Sequence, residues 1–112
     1  MQDWSPDDLK GHLDGGASVF LKLWKPGCGA CRLSEPALER IEAADKRQLQ
    51  FGKINVDDHE EMLEVAGTDV LPTFFVFADG QMRGKHIGFK GIAKLTAFID
   101  SSFESTAGDS SS

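Results

Sequence analysis

Apolar residues recur along this chain with two different spacings, which predict an alternation of strands and helices. The stretch 18–24, "SVFLKLW", is mostly apolar and rich in β-branched and aromatic residues, as in a central buried strand. A second strand is predicted at 50–56, and residues 72–88 predict two more strands joined by a turn. The turn falls at Asp79 and Gly80, a pair that favours tight β-hairpins. These segments supply four core strands.

Two helices in the first half are marked by capping residues and by apolar positions three and four residues apart. Ser5 followed by Pro6 predicts a helix start, because a hydroxyl caps free backbone N–H groups and proline suits the first turn. This helix should end near Leu13. Residues 29–46 predict a longer amphipathic helix, which Pro36 should kink.

Two further helices are predicted in the second half. Asp58, followed by an acid three residues later, predicts a capped helix start, and Gly67 predicts its end. Residues 92–103 place their apolar side chains on one face of a closing helix. Residues 104–112 are small, polar and without periodicity, so we expect a disordered tail after a single domain of residues 1–103.

The order of these elements predicts an α/β fold. Two strand-helix-strand units need right-handed crossovers, which place helices on the faces of the sheet, and the hairpin adds an antiparallel strand at one edge. The result is a mixed sheet flanked by helices. The first core strand ends directly before a helix, and sites in open α/β sheets lie at such strand ends.

Composition and charge exclude several classes of protein. The chain has 112 residues, 40% of them hydrophobic, and a net charge of −6 with dispersed basic residues, so we expect neither a membrane protein nor a nucleic-acid partner. The amino terminus has neither the basic start nor the apolar stretch of a signal peptide. We therefore expect a cytoplasmic protein, and we expect it to be a monomer.

The candidate chemistry lies in "KPGCGACR", which contains both cysteines, Cys28 and Cys31. A structural clip is disfavoured, because a bridge over so small a loop adds little stability through chain entropy. A metal site is also disfavoured, because the three histidines are far apart and form no second ligand pair, so we expect no metal. A redox role fits better. Cys28 precedes a helix whose positive end should lower the pKa of its thiol, while Cys31 is one turn further in, sheltered and close enough to resolve a mixed disulfide.

The ordered set of motifs resembles the thioredoxin family over about residues 5–103. It comprises "FLKLW", the Cys-Gly-Ala-Cys motif with Gly29 and Ala30, Pro36, "KINVDDH", "LPTFFVF" and "DGQMRGKHIGFKG". The resemblance implies a thioredoxin fold, with the family's extra amino-terminal strand shortened or absent. It also implies Cys28 as nucleophile, Cys31 as resolving cysteine, and Pro72 in a cis peptide bond facing them. Without an N–H, Pro72 also leaves the backbone of Leu71 available to a partner segment.

Three positions of the site depart from the family pattern. Ala30 replaces the usual proline between the cysteines, and Gly27 replaces the usual tryptophan before the first cysteine. Lys22 replaces an aspartate of the first buried strand, which in the family helps to move the proton of the resolving cysteine, and a lysine cannot serve as that carboxylate. We hypothesise that Lys22 lowers the pKa of Cys28 or Cys31, with Lys53 on the adjacent strand adding to the positive field. The alternative is that Lys22 lies at a strand margin and extends to water.

Two tryptophans complete the interpretation. Trp4 is expected to pack against the fold, and Trp24 to shield the active-site loop. The function implied by the resemblance is a thiol-disulfide oxidoreductase that reduces protein disulfides, needs no bound cofactor and receives electrons from a separate reductase. Two alternatives stay open: a thiol oxidase or disulfide isomerase, and a binding module that uses the groove beside Pro72 without turnover.

Overall fold

The computed structural model describes the backbone of residues 1–111 and the side chains of residues 1–104. Its strands are β1 (Gln2–Asp3), β2 (Val19–Trp24), β3 (Gln50–Asn55), β4 (Thr73–Ala78) and β5 (Gln81–Ile87). Its helices are α1 (Pro6–Asp14), α2 (Gly29–Ala44), α3 (Glu61–Ala66) and α4 (Ile92–Ser111). All four predicted core strands and all four predicted helices are present.

The strands form one mixed sheet in the order β1-β3-β2-β4-β5. β1 and β2 both pair with β3 in parallel, whereas β4 pairs antiparallel with β2 and with β5. The predicted mixed sheet is confirmed, and the amino-terminal strand is present in a shortened form of two residues. β2 is therefore central, with five of its six residues buried.

Two apolar clusters cover the two faces of the sheet. On one face, Leu9 of α1 and Met62 of α3 pack with Leu21, Leu23 and other β2, β3 and β4 residues. The other face packs under α2 and α4; its cluster contains Phe20, Leu38, Leu49, Phe51, Phe74, Val76, Leu95 and Ile99. Side chains alternate across a strand, so Lys22 lies on the same face as Phe20, under α2.

Local signals explain most element ends. The Ser5 hydroxyl accepts from the Asp8 N–H while the Asp8 carboxylate accepts from the Ser5 N–H, a capping box. Gly67 ends α3 with a φ of 72°, the left-handed conformation that favours glycine. The predicted cap at Asp58 is wrong: α3 begins at Glu61 behind Glu60, which makes no side-chain cap bond. Residues just before α3 form a turn instead, which delays the helix start.

The closing helix is confirmed at its start and continues further than residue 103, since α4 runs to Ser111. Side chains from residue 105 onward, and all of residue 112, lie outside the described residues, so the division into a domain and a polar tail at 104–112 stays a prediction. In the described part of the chain, no helix is both long and apolar enough to cross a bilayer.

Trp4 packs against the fold, as predicted. Its side chain is buried, its ring stacks on His12 at a centroid distance of 4.4 Å, and its indole lies directly over Gly52 of β3. A Cβ atom at residue 52 would overlap the indole ring. The glycine is therefore required by the tryptophan.

A dithiol redox site at the start of helix α2

The two cysteines lie where central strand β2 gives way to helix α2. Cys28 is the residue before the first turn of α2, and Cys31 lies within that turn. Their sulfurs form a disulfide, with the two Cα atoms 5.2 Å apart. The pair is thus placed at the positive end of a sixteen-residue helix, where backbone N–H groups favour a thiolate.

The two sulfurs differ in exposure. Cys28 is half-buried, whereas Cys31 is only 2% exposed. The Cys31 N–H donates to the Cys28 sulfur at 3.1 Å, an interaction that stabilises negative charge on Cys28 when the disulfide is reduced. The fold therefore offers one accessible sulfur and one sheltered sulfur.

The chain before β4 faces the accessible sulfur. The peptide bond between Leu71 and Pro72 is cis, as the family resemblance implies, and the Leu71 carbonyl oxygen lies 3.7 Å from the Cys28 sulfur. Pro72 itself is buried, and Leu71 is half-buried. A substrate segment that reaches Cys28 would therefore meet the Leu71 backbone.

The loop around the cysteines is open. Gly27 has a φ of 80°, in the left-handed region that favours glycine, so a tryptophan there would be strained. Gly29 and Ala30 are exposed on the first turn of α2. The structure thus places all three residues at the surface of the site.

Lys22 is buried beneath α2. The residue is 1% exposed, and its Nζ donates to the Cys31 carbonyl oxygen at 3.1 Å and to Glu35 Oε2 at 2.9 Å. The alternative that Lys22 extends to water from a strand margin is therefore wrong. Its ammonium is held inside the site, bound to the residue that carries the sheltered sulfur.

Glu35 lies between two lysines. Its other carboxylate oxygen is 3.9 Å from Lys53 Nζ, and Lys53 and Lys22 are direct neighbours across β2 and β3. Lys53 Nζ also lies 4.8 Å from the centre of the Trp24 ring, so Trp24 covers this charge cluster beside the loop. The carboxylate separates two amines that would otherwise repel each other.

Burial and charge shift the pKa values of this cluster. Burial lowers the pKa of Lys22, and the neighbouring Lys53 adds to that effect, while the hydrogen bond and charge of Glu35 oppose it. Burial raises the pKa of Glu35, but the hydrogen bond and charge of Lys22, helped by Lys53 and the amino terminus, more than offset it and leave the pKa below its usual value. Glu35 is therefore ionised at neutral pH.

Glu35 is the site residue that the sequence pattern did not single out. It follows Cys31 by four residues, and such residues share one face of a helix. That spacing was a usable signal. A buried lysine on the strand below also requires an anion, and the facing helix is where one should be sought.

Comparison with known proteins decides the family. The model of the thioredoxin family matches residues 7–101. This chain belongs to the thioredoxin family. It is 33% identical to a thioredoxin of Bacillus subtilis over 73% of this chain and 79% of that protein. It is also 32% identical to the bifunctional thioredoxin reductase/thioredoxin of Mycobacterium leprae, over 74% of this chain and 18% of that protein.

Solved structures agree with the thioredoxin fold. The crystal structure of the thioredoxin of Malassezia sympodialis superimposes with a TM-score of 0.77 at 28% identity, covering 89% of this chain and 90% of that one. With the fold, the family and the paired Cys28 and Cys31 together, the protein is a thioredoxin-type thiol-disulfide oxidoreductase with a redox-active disulfide.

In the described residues, no group of three or more His, Cys, Asp or Glu side chains could hold a metal ion.

Proposed function

We propose that this protein reduces disulfides of other proteins, with Cys28 attacking and Cys31 resolving. The observation that carries the proposal is the unequal exposure of the two sulfurs at the start of one helix. The Cys28 thiolate attacks a substrate disulfide and forms a mixed disulfide, and Cys31 then displaces the reduced substrate and restores the internal bridge. Leu71 supports this order, because its backbone carbonyl lies beside the attacking sulfur.

Electrons must then return to the internal disulfide. We propose a separate reductase of the thioredoxin reductase class as donor, supported by the Mycobacterium leprae relative, whose name joins thioredoxin reductase and thioredoxin in one protein. We further propose a monomer that works in the cytoplasm. The use of both cysteines within the redox motif supports a reducing compartment, since no disulfide framework is built elsewhere.

The direction of electron flow can be tested by the reduction potential of the Cys28 and Cys31 pair. We expect a value near the ~−270 mV of reducing thioredoxins. The protein would be equilibrated with dithiol and glutathione buffers of known potential, and its free thiols counted by mass. A value between ~−180 and ~−120 mV would instead support an oxidase or isomerase.

Lys22 is proposed to lower the pKa of the Cys31 thiol. Its ammonium is bound to the Cys31 carbonyl and lies in a buried site, where charge interactions are weakly screened. A positive charge bound to the Cys31 backbone favours the thiolate of the same residue. The charge of Lys53 is instead shared with Glu35, Asp3 and the Trp24 ring.

Lys22→Met is expected to raise the pKa of Cys31 and, at the same time, to stabilise the fold, because burial disfavours the charged form of Lys22 more than Glu35 favours it. Methionine fills the same buried space without a charge, and the Cys31 carbonyl still accepts from the Ser34 hydroxyl at 2.6 Å. Thiol titration of the reduced protein and urea unfolding at neutral pH would measure both effects. Unchanged pKa values of both thiols would end the proposal for Lys22.

The stability gain of this variant should depend on pH. Because the pKa of Lys22 is lowered in the folded state, its charged form disfavours folding, and this penalty disappears as the pH rises toward its usual value of 10.5. The advantage of Lys22→Met should therefore shrink as the pH rises from 7 toward 10.5. Lys10→Met is the matched control, because that side chain is 73% exposed and should change stability by less than about 0.5 kcal/mol.

A further inference from the structure

The resolving step needs a place for the Cys31 proton. If Cys31 attacks the mixed disulfide, as proposed above, its thiol must first become a thiolate. Cys31 is 2% exposed, so this proton cannot pass directly to bulk water. A group near Cys31 must accept it.

A cavity of about 120 Å³ connects Cys31 with the charge cluster beneath α2. It is lined by Lys22, Trp24, Lys25, Pro26, Gly27, Cys31, Arg32 and Glu35. A polar cavity needs far less room than this to hold a water molecule. The buried indole Nε1 of Trp24, which has no hydrogen-bond partner in the described part of the chain, would gain an acceptor from such a water.

Of the described residues lining this cavity, Glu35 is the one carboxylate. Lys22 cannot accept a proton while its ammonium is bound to Glu35, and the guanidinium of Arg32 is a donor without an acceptor atom. Glu35 lies one helical turn beyond Cys31 on α2, and its side chain is 45% exposed, so a proton it receives can pass on to solvent.

We propose that Glu35 accepts the Cys31 proton through water in this cavity, held in place by Lys22. The S–H bond of Cys31 breaks, its proton moves through water to the Glu35 carboxylate, and the sulfur electron pair forms the bond to Cys28. The bond between Cys28 and the substrate sulfur breaks, and its electron pair leaves on the substrate thiolate. Glu35 then returns its proton to solvent or to that thiolate, so the step needs no further reactant.

The charges around Glu35 come from several elements. Lys22 of β2 and Lys53 of β3 face it from below, and the amino-terminal amine adds positive charge. Arg32 on α2 and Lys25 in the preceding loop line the same cavity. Lys22, Lys53 and the amino terminus keep the carboxylate ionised, and the positive charges around the cavity stabilise the Cys31 thiolate once the proton has left.

The test compares Glu35→Gln with the wild type in a single turnover. The reduced protein is mixed with a disulfide-bonded peptide, quenched with acid, and the Cys28 mixed disulfide is quantified by mass spectrometry from pH 6 to pH 9. We expect formation of the mixed disulfide at an unchanged rate and its resolution slowed about tenfold or more at neutral pH. The difference should vanish at high pH, where hydroxide removes the Cys31 proton. Equal resolution rates and equal pH profiles would overturn the proposal.

Two further variants distinguish proton transfer by Glu35 from an effect on packing or surface charge. Glu39→Gln removes an exposed carboxylate one turn further along α2 and should resolve at the wild-type rate. Glu35→Asp keeps a carboxylate and should restore most of the rate and the wild-type pH profile; if it is as slow as Glu35→Gln, Glu35 acts only through packing and the proposal fails.

A failure of the proposed reductase function can be distinguished from a failure of the proposal for Glu35. Cys31→Ser should accumulate the Cys28 mixed disulfide whatever residue stands at 35. If it does not, the order of attack is wrong. If Cys31→Ser traps the mixed disulfide but Glu35→Gln has no effect, the proposed function stands and only the role of Glu35 as proton acceptor is rejected.

Discussion

Replacing Cys31 by serine is expected to trap Cys28 as a stable mixed disulfide and to abolish turnover. The accessible sulfur still attacks, because its helix position and its N–H donor are unchanged, but no second thiol can release the substrate. Incubation with a disulfide-bonded substrate protein, followed by non-reducing electrophoresis and mass spectrometry, should reveal a nearly stoichiometric adduct at Cys28.

Cys28→Ser is the matched control for this experiment. It should form almost no adduct, because the remaining Cys31 is buried under α2 and its sulfur is sheltered from a protein substrate. Adducts formed equally well by both variants would show that the assignment of attacking and resolving cysteines is wrong. A pure binding module would behave differently again, since Cys28→Ser would then keep the wild-type affinity for its partner.

Replacing Gly52 by alanine is expected to destabilise the fold by about 3 kcal/mol or more. A Cβ atom at this position would overlap the six-membered ring of Trp4, which is buried in an apolar cluster. Either the indole leaves its site or β3 shifts, and both also disturb the pairing of β1 with β3. Urea unfolding followed by Trp fluorescence and circular dichroism would measure the loss.

A double-mutant cycle isolates the cause of this loss. In a Trp4→Ala background, Gly52→Ala should cost much less than in the wild type, because the clashing ring is gone. Gly11→Ala is the matched control: it lies inside α1 with open space around it, and alanine there should stabilise by about 0.5–1 kcal/mol. An equal cost of Gly52→Ala in both backgrounds would contradict the proposed clash.

Periodic patterns were sufficient for most of the fold. Local conformational preference predicted the apolar strand β2, the amphipathic helix α2 and the turn at Asp79 and Gly80. Burial in the folded protein then stabilises the same conformations. The turn residues do have positive φ values, 55° and 77°. The prediction at Asp58 failed because a capping pattern is short and a turn forms there instead, in which the Asp58 and His59 N–H groups donate to the carbonyl oxygens of Asn55 and Val56.

The sequence by itself determined the element order, the redox pair at the start of a helix, and the family. These depend on residues close together in the chain or on ordered motifs, which can be recognised without coordinates. The tertiary structure alone decided whether Lys22 extends to water or is buried, and which anion it meets. Lys22 and Glu35 are thirteen residues apart on different elements. Their contact depends on how α2 packs on β2, and the high cost of burying an unpaired ammonium makes that packing and the ion pair depend on each other.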